Sequence, residues 1–186
     1  MNSNVDISII IVSYNIKEFL YQCLLSVIKA SANISTEIFV VDNNSHDGSV
    51  EMVKNEFNQV KLIANNDNLG FARANNQAIA KARGKYILLL NPDMCIQKDA
   101  LNNMVAWMNN NPQAFIASLK LINESGEIIK HIRKFPTLWD QLIIVLKQGN
   151  GKHATRAFPF HGTMKILIER TYTKLKFFKR KIILIK

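Results

Sequence analysis

The sequence predicts an α/β fold in which a mostly parallel sheet is flanked by helices on both faces. Short β-branched runs alternate with helical segments three times before a fourth strand is reached. Each run is continuously apolar, which is typical of strands buried on both sides. Each segment between them has a single apolar face at helical spacing. This is the pattern of βαβ units joined by right-handed crossovers.

The predicted strands are four apolar runs, each closed by polar residues. They are residues 7–13, 37–42, 60–64 and 85–90. After the fourth strand, residues 114–121 read as another strand, and residues 127–131 as a short strand that follows a turn at Ser125-Gly126. The four runs therefore define the core of the sheet.

The helices are predicted from apolar residues at spacings of three and four. The first face is Ile16, Phe19, Leu20, Cys23, Leu24, Val27 and Ile28. The second consists of Val50, Val53 and Phe57, with Ser45 as N-cap and Asp47 in the first turn. The third consists of Phe71, Ala74, Ala78, Ile79 and Ala82, closed by Gly84 as a left-handed C′ residue. The fourth consists of Leu101, Met104, Val105 and Met108, and residues 139–146 form one more amphipathic segment.

Composition excludes several classes of protein. The 186 residues are 48% hydrophobic and 20% charged, which suits a globular chain with a real core. Two cysteines, Cys23 and Cys95, exclude a disulfide framework. No apolar run is long enough to span a bilayer, and the polar start lacks the pattern of a signal peptide. A cytoplasmic location is the expectation.

The net charge of +10 is confined to one part of the chain. Residues 1–146 carry 13 basic and 13 acidic side chains, whereas residues 147–186 carry 11 basic side chains and the single acid Glu169. We therefore predict a neutral domain over 1–146 and a basic tail over 147–186. The tail is either non-native or poorly ordered, or it is suited to an anionic membrane surface. The neutral domain argues against nucleic acid as a partner.

The chemistry is predicted at the carboxyl ends of the strands, where open parallel sheets bind ligands. Each of the four strands is followed by Asn, Asp or Ser. One such end is an ordinary turn, but four on one rim indicate a polar pocket on a rigid scaffold. Asp42 is either a turn residue or an acceptor for a base N–H or a ribose hydroxyl. Asp93 is either part of an Asn-Pro-Asp turn or a ligand for Mg²⁺ or Mn²⁺ at a diphosphate.

The absence of several motifs argues against further classes of protein. There is no Gly-x-Gly-x-x-Gly after the first strand and no Gly-Lys-Ser/Thr, which argues against a dinucleotide oxidoreductase and a P-loop nucleotidase. No Cys/His spacing suggests zinc. Cys23 lies on an apolar helix face and is expected in the core.

Four segments, in this order, resemble the family 2 glycosyltransferases, which are inverting enzymes with the Rossmann-like GT-A fold. They are Val12-Ser13-Tyr14-Asn15, residues 41–49, residues 68–72 with Asn75-Asn76, and Leu90-Asn91-Pro92-Asp93. The similarity extends to the rhamnosyltransferase-like members of bacterial cell-surface polysaccharide synthesis. It covers residues 6–140 and fades near Lys147.

The resemblance implies a donor, an acceptor and a metal. The donor is a dTDP- or UDP-sugar, the acceptor is a saccharide or a lipid-linked glycan at the inner face of the membrane, and the ion is Mg²⁺ or Mn²⁺. Asp93 is implied as the metal ligand, in a motif whose first Asp is replaced by Asn91. The implied donor-binding residues are Ser13, Tyr14, Asn15, Asp42, Asn43, Asn68, Gly70, Asn75, Asn76 and Asn91.

Inversion also requires a general base to accept the proton of the acceptor hydroxyl. After Asp99 the remaining carboxylates are Glu124, Glu127, Asp140 and Glu169, and none lies in a segment similar to the family's base motif. The catalytic residue is therefore left unassigned. We expect a truncated or frame-shifted product with a folded donor-binding half. The alternatives that follow are an active transferase, a non-catalytic donor-binding remnant, and a membrane-surface protein that acts through its tail.

Overall fold

The computed structural model describes residues 5–119, 121–123, 125–128 and, for the backbone, 181–185. These residues fall into two compact units. The first comprises the described residues up to 119 together with 181–185, and the second comprises those between 121 and 128. Across these ranges, no helix is both long enough and apolar enough to cross a bilayer.

The first unit is built on a sheet whose described strands are all parallel to their neighbours. The strand order is β3-β2-β1-β4-β6-β5. The strands are β1 (Ile7–Ser13), β2 (Thr36–Asp42), β3 (Val60–Ala64), β4 (Tyr86–Leu90), β5 (Ile116–Ser118) and β6 (Lys181–Ile185). The four strands predicted from apolar runs are confirmed, each to within one residue.

Four helices connect these strands, and they are α1 (Lys17–Ala30), α2 (Ser49–Glu56), α3 (Gly70–Lys81) and α4 (Ala100–Asn110). From β1 to β3, each new strand is added on the same side of the sheet. β4 is then added on the other side of β1. Right-handed crossovers therefore put α1 and α2 on one face of the sheet and α3 on the other. The predicted sheet with helices on both faces is confirmed, and the order reverses between β1 and β4.

The core lies between the sheet and these helices. The α3 face is built from small helix residues packed on larger strand residues, which lets the helix approach the sheet closely. Its buried members are Ile10, Phe39, Val41, Ala74, Ala78, Ile79, Ala82 and Ile87. On α1, Cys23 is fully buried, which confirms its expected core position.

Two aromatic residues predicted on buried helix faces are exposed instead. Phe19 is 62% exposed and Phe71 is 41% exposed. Both lie in the first turn of their helices. The rest of the fold therefore does not cover these two rings. The 3.6-residue period identifies the face on which they lie, but not how far along the helix this face is covered.

Two predicted helix boundaries are also wrong. Ser45 does not cap α2, which begins at Ser49 after Gly48, whose φ of 82° places it in the left-handed region. Gly84 is not the C′ residue of α3, because the helix ends at Lys81 with Ala82 as its C-cap, and the φ of Gly84 is not left-handed. It is needed for close packing, since a Cβ at this position would lie 2.4 Å from the backbone nitrogen of Ser8.

The later part of the chain departs furthest from prediction. The strand expected over 114–121 is confined to β5, and Ile128 of the second unit pairs with Ile122 through an isolated antiparallel bridge after a turn at Gly126. No strand was predicted in the basic tail, yet β6 pairs with both β4 and β5. Residues 129–131, the segment 139–146 and the basic residues of 147–180 lie outside the described residues. The division at residue 146 stays a prediction.

The amino-terminal edge of the sheet holds a buried carboxylate. Glu37 is 6% exposed and accepts hydrogen bonds from Ser8 Oγ (2.7 Å), Lys61 Nζ (2.6 Å) and the backbone N–H groups of Arg83 and Gly84. Burial alone would raise the pKa of Glu37, but the hydrogen bonds from Lys61, Arg83 and Ser8 outweigh it and lower the pKa to about 2. The charged carboxylate therefore joins β1, β2, β3 and the start of β4.

Candidate active site

The predicted site lies at the opposite edge, where the parallel strands end together. Ser13 of β1 is aligned with Asp42 of β2, which is in turn aligned with Ala64 of β3. The Asn43 N–H donates to the Ser13 carbonyl oxygen (2.9 Å) and continues the ladder into the loop. The register therefore brings the residues that follow β1 and β2 side by side, as the sequence predicted for the rim.

Three buried polar atoms at this edge have no hydrogen-bond partner in the part of the chain that the structure describes. They are Ser13 Oγ, Asp42 Oδ1 and Asn75 Oδ1. The three residues are between 0% and 3% exposed. All three were predicted to bind the donor. Buried polar atoms are normally paired, so these three atoms are open to a partner from outside the protein, such as a water molecule or a ligand.

The two larger side chains are fixed through their other polar atom. Asp42 Oδ2 accepts from the Ser45 N–H (2.8 Å), and Asn75 Nδ2 donates to the Phe71 carbonyl oxygen (2.8 Å). Each side chain is thereby held in one orientation while its second polar atom stays free.

Asp47 joins the loops that follow β1 and β2. Its Oδ2 accepts from the Lys17 N–H (2.7 Å), and its Oδ1 accepts from the Ser49 N–H (3.0 Å) and Ser49 Oγ (2.6 Å). Lys17 and Ser49 are the first residues of α1 and α2. Burial raises the pKa of Asp47, but the hydrogen bonds from Ser49 and Lys17 outweigh it and hold the pKa below its ordinary value. The Asp47 carboxylate thus accepts the first backbone N–H of each of two helices, α1 and α2.

Asn15 reinforces the same connection. It has a left-handed φ of 52°; its N–H donates to Ser45 Oγ (2.9 Å), and its Oδ1 accepts from the His46 N–H (2.8 Å). Asn tolerates this conformation better than most residues. Its side-chain oxygen thus joins the loops that follow β1 and β2, and its role in donor binding stays a prediction.

We predict that Asp47→Ala lowers the free energy of unfolding by about 1 kcal/mol, the usual loss when a capping carboxylate is removed. The Lys17 and Ser49 N–H groups would both lose their acceptor. Urea denaturation monitored by circular dichroism measures the change. Asp67→Ala, at an exposed position in the loop after β3, is the control and should leave stability unchanged. Equal stabilities for the two variants would contradict this role of Asp47.

The remaining predicted donor-binding residues are placed differently. Asn43 is buried and its Oδ1 accepts from Asn65 Nδ2 (3.1 Å), while Asn68 Oδ1 accepts from the Gly70 N–H (2.9 Å). Tyr14 and Asn76 are exposed. Asn43 and Asn68 therefore shape the loops, whereas Tyr14 and Asn76 lie at the surface of the first unit.

Some residues of this edge were missed by sequence reasoning. Gln77 forms a reciprocal pair of hydrogen bonds with Asn65 (2.9 and 3.0 Å) and ties α3 to the end of β3. Asp47 was taken for a first-turn residue of one helix only. No local pattern signals either contact, because each partner is distant in the sequence. Only the packed sheet brings them together.

The end of β4 supplies the second half of the site. Asn91, Pro92 and Asp93, together with Ile16 and Phe19, line a surface cavity of about 580 Å³ that is widely open to solvent. Asp93 is exposed, whereas Pro92 is buried. The cavity lies between the segments that follow β1 and β4, where the strand order reverses. This is the position at which open α/β sheets bind their ligands.

A divalent metal ion fits this half of the site only together with a ligand. Asp93 and Asn91 offer oxygen donors, which suit Mg²⁺ or Mn²⁺. Among the described residues no three His, Cys, Asp or Glu side chains are grouped as a metal site. Mg²⁺ is commonly held by one or two carboxylates and completed by phosphate oxygens. The donor set therefore fits an ion shared with a bound diphosphate.

The catalytic base is not placed by the structure. Among the described residues after Asp99, Glu127 is the sole carboxylate, and it belongs to the second unit. Glu124, Asp140 and Glu169 lie outside the described residues. The catalytic residue, unassigned from sequence, stays unassigned.

The family model for glycosyl transferase family 2 matches residues 8–172, which is most of the chain. The chain belongs to this family. The match continues well beyond residue 140, where the resemblance seen in the sequence was thought to end. The prediction that the resemblance fades near Lys147 is therefore wrong, because the family match includes residues 147–172 despite their basic composition.

Curated relatives of this family 2 chain are similar to about 60% of its length. An uncharacterized glycosyltransferase, YfnE of Bacillus subtilis, is 32% identical over 114 residues, covering 60% of this chain and 29% of the relative. The poly(ribitol-phosphate) beta-glucosyltransferase of Bacillus spizizenii is 33% identical, covering 64% of this chain and 20% of the relative. The chain thus spans less than a third of the length of either relative.

Solved structures share the fold of this family 2 chain. S. aureus TarS 1-349 in complex with UDP-GlcNAc superposes with a TM-score of 0.59 at 20% identity, covering 71% of this chain and 38% of that one. The mannosyltransferase PcManGT from Pyrobaculum calidifontis, in complex with GDP-Man and Mn²⁺, gives a TM-score of 0.55 at 22% identity, covering 62% and 35%. These neighbours confirm the predicted GT-A fold.

Proposed function

We propose that this chain binds a nucleoside diphosphate sugar with a divalent ion, as the donor-binding part of an inverting glycosyltransferase of cell-surface polysaccharide synthesis. The observation that carries the proposal is the set of unpaired buried atoms on Ser13, Asp42 and Asn75. A carboxylate oxygen, a hydroxyl and an amide oxygen suit the N–H and O–H groups of a nucleoside. Family membership and the UDP-GlcNAc and GDP-Man bound by neighbours of the same fold support it.

The donor extends from this nucleoside site to Asp93. Asp42 and Ser13 accept the nucleoside at the ends of β2 and β1, and Asn91 and Asp93 meet the diphosphate at the end of β4. An ion shared between Asp93 and the diphosphate would neutralise the charge of the leaving group. Mn²⁺ bound with GDP-Man in the archaeal neighbour supports this assignment. We propose dTDP or UDP as the nucleotide, in line with the rhamnosyltransferase-like motifs.

Transfer then breaks one bond and forms another at the anomeric carbon. The acceptor hydroxyl, on a saccharide or a lipid-linked glycan, attacks this carbon, and the bond to the phosphate oxygen breaks with its electron pair leaving on the nucleoside diphosphate. The hydroxyl proton passes to a general base. The printed name of the Bacillus spizizenii relative, a glucosyltransferase acting on poly(ribitol-phosphate), supports a cell-surface polymer as the class of acceptor.

Calorimetric titration tests the binding step. We expect no heat from Mn²⁺ alone and measurable binding of UDP-, dTDP- or GDP-sugars, strengthened about tenfold by Mn²⁺, a typical coupling between two ligands of one site. EDTA should reverse the gain. Mn²⁺ binding without a nucleotide would contradict the shared ion, and the absence of nucleotide binding would overturn the proposal as a whole.

The alternative is that the chain binds the donor without transferring it. The full sequence has only four carboxylates after Asp99, and none lies in a segment similar to the family's base motif, which favours this alternative. An assay of nucleoside diphosphate release, with and without a glycan acceptor, separates the two. Release that depends on the acceptor supports the transferase, whereas binding without release supports the donor-binding remnant.

A further inference from the structure

The cavity beside Asp93 has an apolar side that the metal and the diphosphate do not use. Besides Asn91 and Asp93, it is lined by Ile16, Phe19 and Pro92. The ring of Phe19 is 62% exposed at the start of α1. A large exposed aromatic ring beside polar groups in a concave site is a common feature of ligand pockets.

Two hydrogen bonds join α1, which carries Phe19, to the segment that follows β4. Cys23 of α1 contacts the Asn91 carbonyl oxygen through its thiol (Sγ to O, 3.8 Å), and Ser26 Oγ accepts from the Ile96 N–H (3.0 Å). Burial raises the pKa of the Cys23 thiol to about 12, and Cys95 and Asp93 add to the rise, so this thiol stays neutral beneath the loop. The position of Phe19 relative to Asp93 is therefore set by the fold.

The position of the cavity decides which part of a donor reaches it. The unpaired polar atoms at β1 and β2 suit the nucleoside, and Asp93 at β4 suits the diphosphate. The sugar is attached to the far phosphate and therefore lies next to Asp93. Asp93 and Phe19 line the same cavity, so a sugar that turns from the diphosphate towards the end of β1 enters it.

We propose that Phe19 forms a stacking platform for the sugar ring of the donor, with Asn91 and Asp93 in reach of its hydroxyl groups. The inference rests on the proposed function and adds the residue that distinguishes a nucleotide sugar from its free nucleotide. A pyranose ring offers an apolar face of C–H groups to an aromatic ring and hydroxyls to polar neighbours.

The test compares Phe19→Ala with the wild-type chain by calorimetry in the presence of Mn²⁺. The probes are UDP with UDP-GlcNAc, dTDP with dTDP-glucose, and GDP with GDP-mannose. We expect Phe19→Ala to weaken binding of the nucleotide sugar about fivefold, within the range of aromatic contacts, and to leave the free nucleotide unchanged. Phe19→Tyr, which keeps the ring, should bind the sugar as the wild type does.

The control is Leu25→Ala, another exposed apolar residue of α1 that does not line the cavity. It should affect neither probe, and both variants should unfold at the wild-type temperature because their side chains are exposed. The inference is overturned if Phe19→Ala weakens both probes equally or neither, or if no wild-type nucleotide sugar binds more tightly than its nucleotide. Failure of every nucleotide to bind wild type would instead refute the proposed function.

Discussion

Asp42→Asn should reduce nucleotide affinity by about 10- to 100-fold, the range expected for the loss of hydrogen bonds to a charged group. The substitution keeps the shape of the side chain. Its single oxygen would stay on the Ser45 N–H, which Asp42 Oδ2 now accepts at 2.8 Å. The amide nitrogen would then replace Oδ1 and present N–H groups to a ligand that also donates. Calorimetric titration with UDP or dTDP measures the loss.

The same variant should be at least as stable as the wild type in the absence of ligand. Asp42 is 1% exposed and its Oδ1 is unpaired. A neutral amide is less costly to bury than an unpaired carboxylate oxygen, so the unfolding temperature should rise or stay unchanged. Asp67→Asn, in the exposed loop after β3, should change neither quantity. Wild-type affinity together with a lower unfolding temperature would show that Asp42 is a structural residue.

Glu37→Ala should lower the free energy of unfolding by about 3 kcal/mol, as expected when one member of a buried charged network is removed. Lys61 and the Arg83 N–H would lose their acceptor, and Ser8 Oγ would lose the carboxylate to which it donates at 2.7 Å. Glu37→Gln should cost less, since it keeps one acceptor oxygen. Glu56→Ala, at an exposed position on α2, should stay within about 0.5 kcal/mol of the wild type. Urea denaturation at neutral pH measures all three.

The contribution of Glu37 should also depend on pH in a defined direction. Folding lowers the pKa of Glu37 from 4.5 to about 2. A lowered pKa stabilises the fold fully above the unfolded value and loses this effect as the pH falls through the folded value. The difference in stability between wild type and Glu37→Ala should therefore shrink as the pH falls from 4.5 towards 2. A difference that is constant over this range would argue that Glu37 acts through packing alone.

The strands and helix faces of the first unit are predictable from the sequence because their signals are local. A continuous apolar run such as β1 reports burial on both sides, and the spacing from Leu20 to Val27 reports a helix face. The rim residues Ser13 and Asp42 are predictable for a related reason. Parallel strands end at one edge, so a polar residue after each strand places the site.

The features that escaped prediction depend on contacts between distant residues. Asp47 bonds to Lys17, and Glu37 bonds to Gly84, in each case across a crossover that no local pattern reports. The exposure of Phe19 depends on how far the rest of the fold covers the first turn of α1. The strand β6 was missed because its apolar run lies at the end of a strongly basic segment. The charge of that segment indicated a tail outside the sheet.

The double contact of Asp47 has a consequence for how this fold can bind an anion. Many nucleotide-binding sheets place a phosphate at the N-terminus of the helix after the first strand, where backbone N–H groups and the helix dipole attract it. Here the first N–H of α1 and the first N–H of α2 already donate to a carboxylate of the protein itself. A diphosphate at this edge would meet an existing negative charge in place of a vacant anion site. A cation that arrives with the ligand would neutralise this charge, which gives an electrostatic reason for the proposed dependence on Mn²⁺ or Mg²⁺.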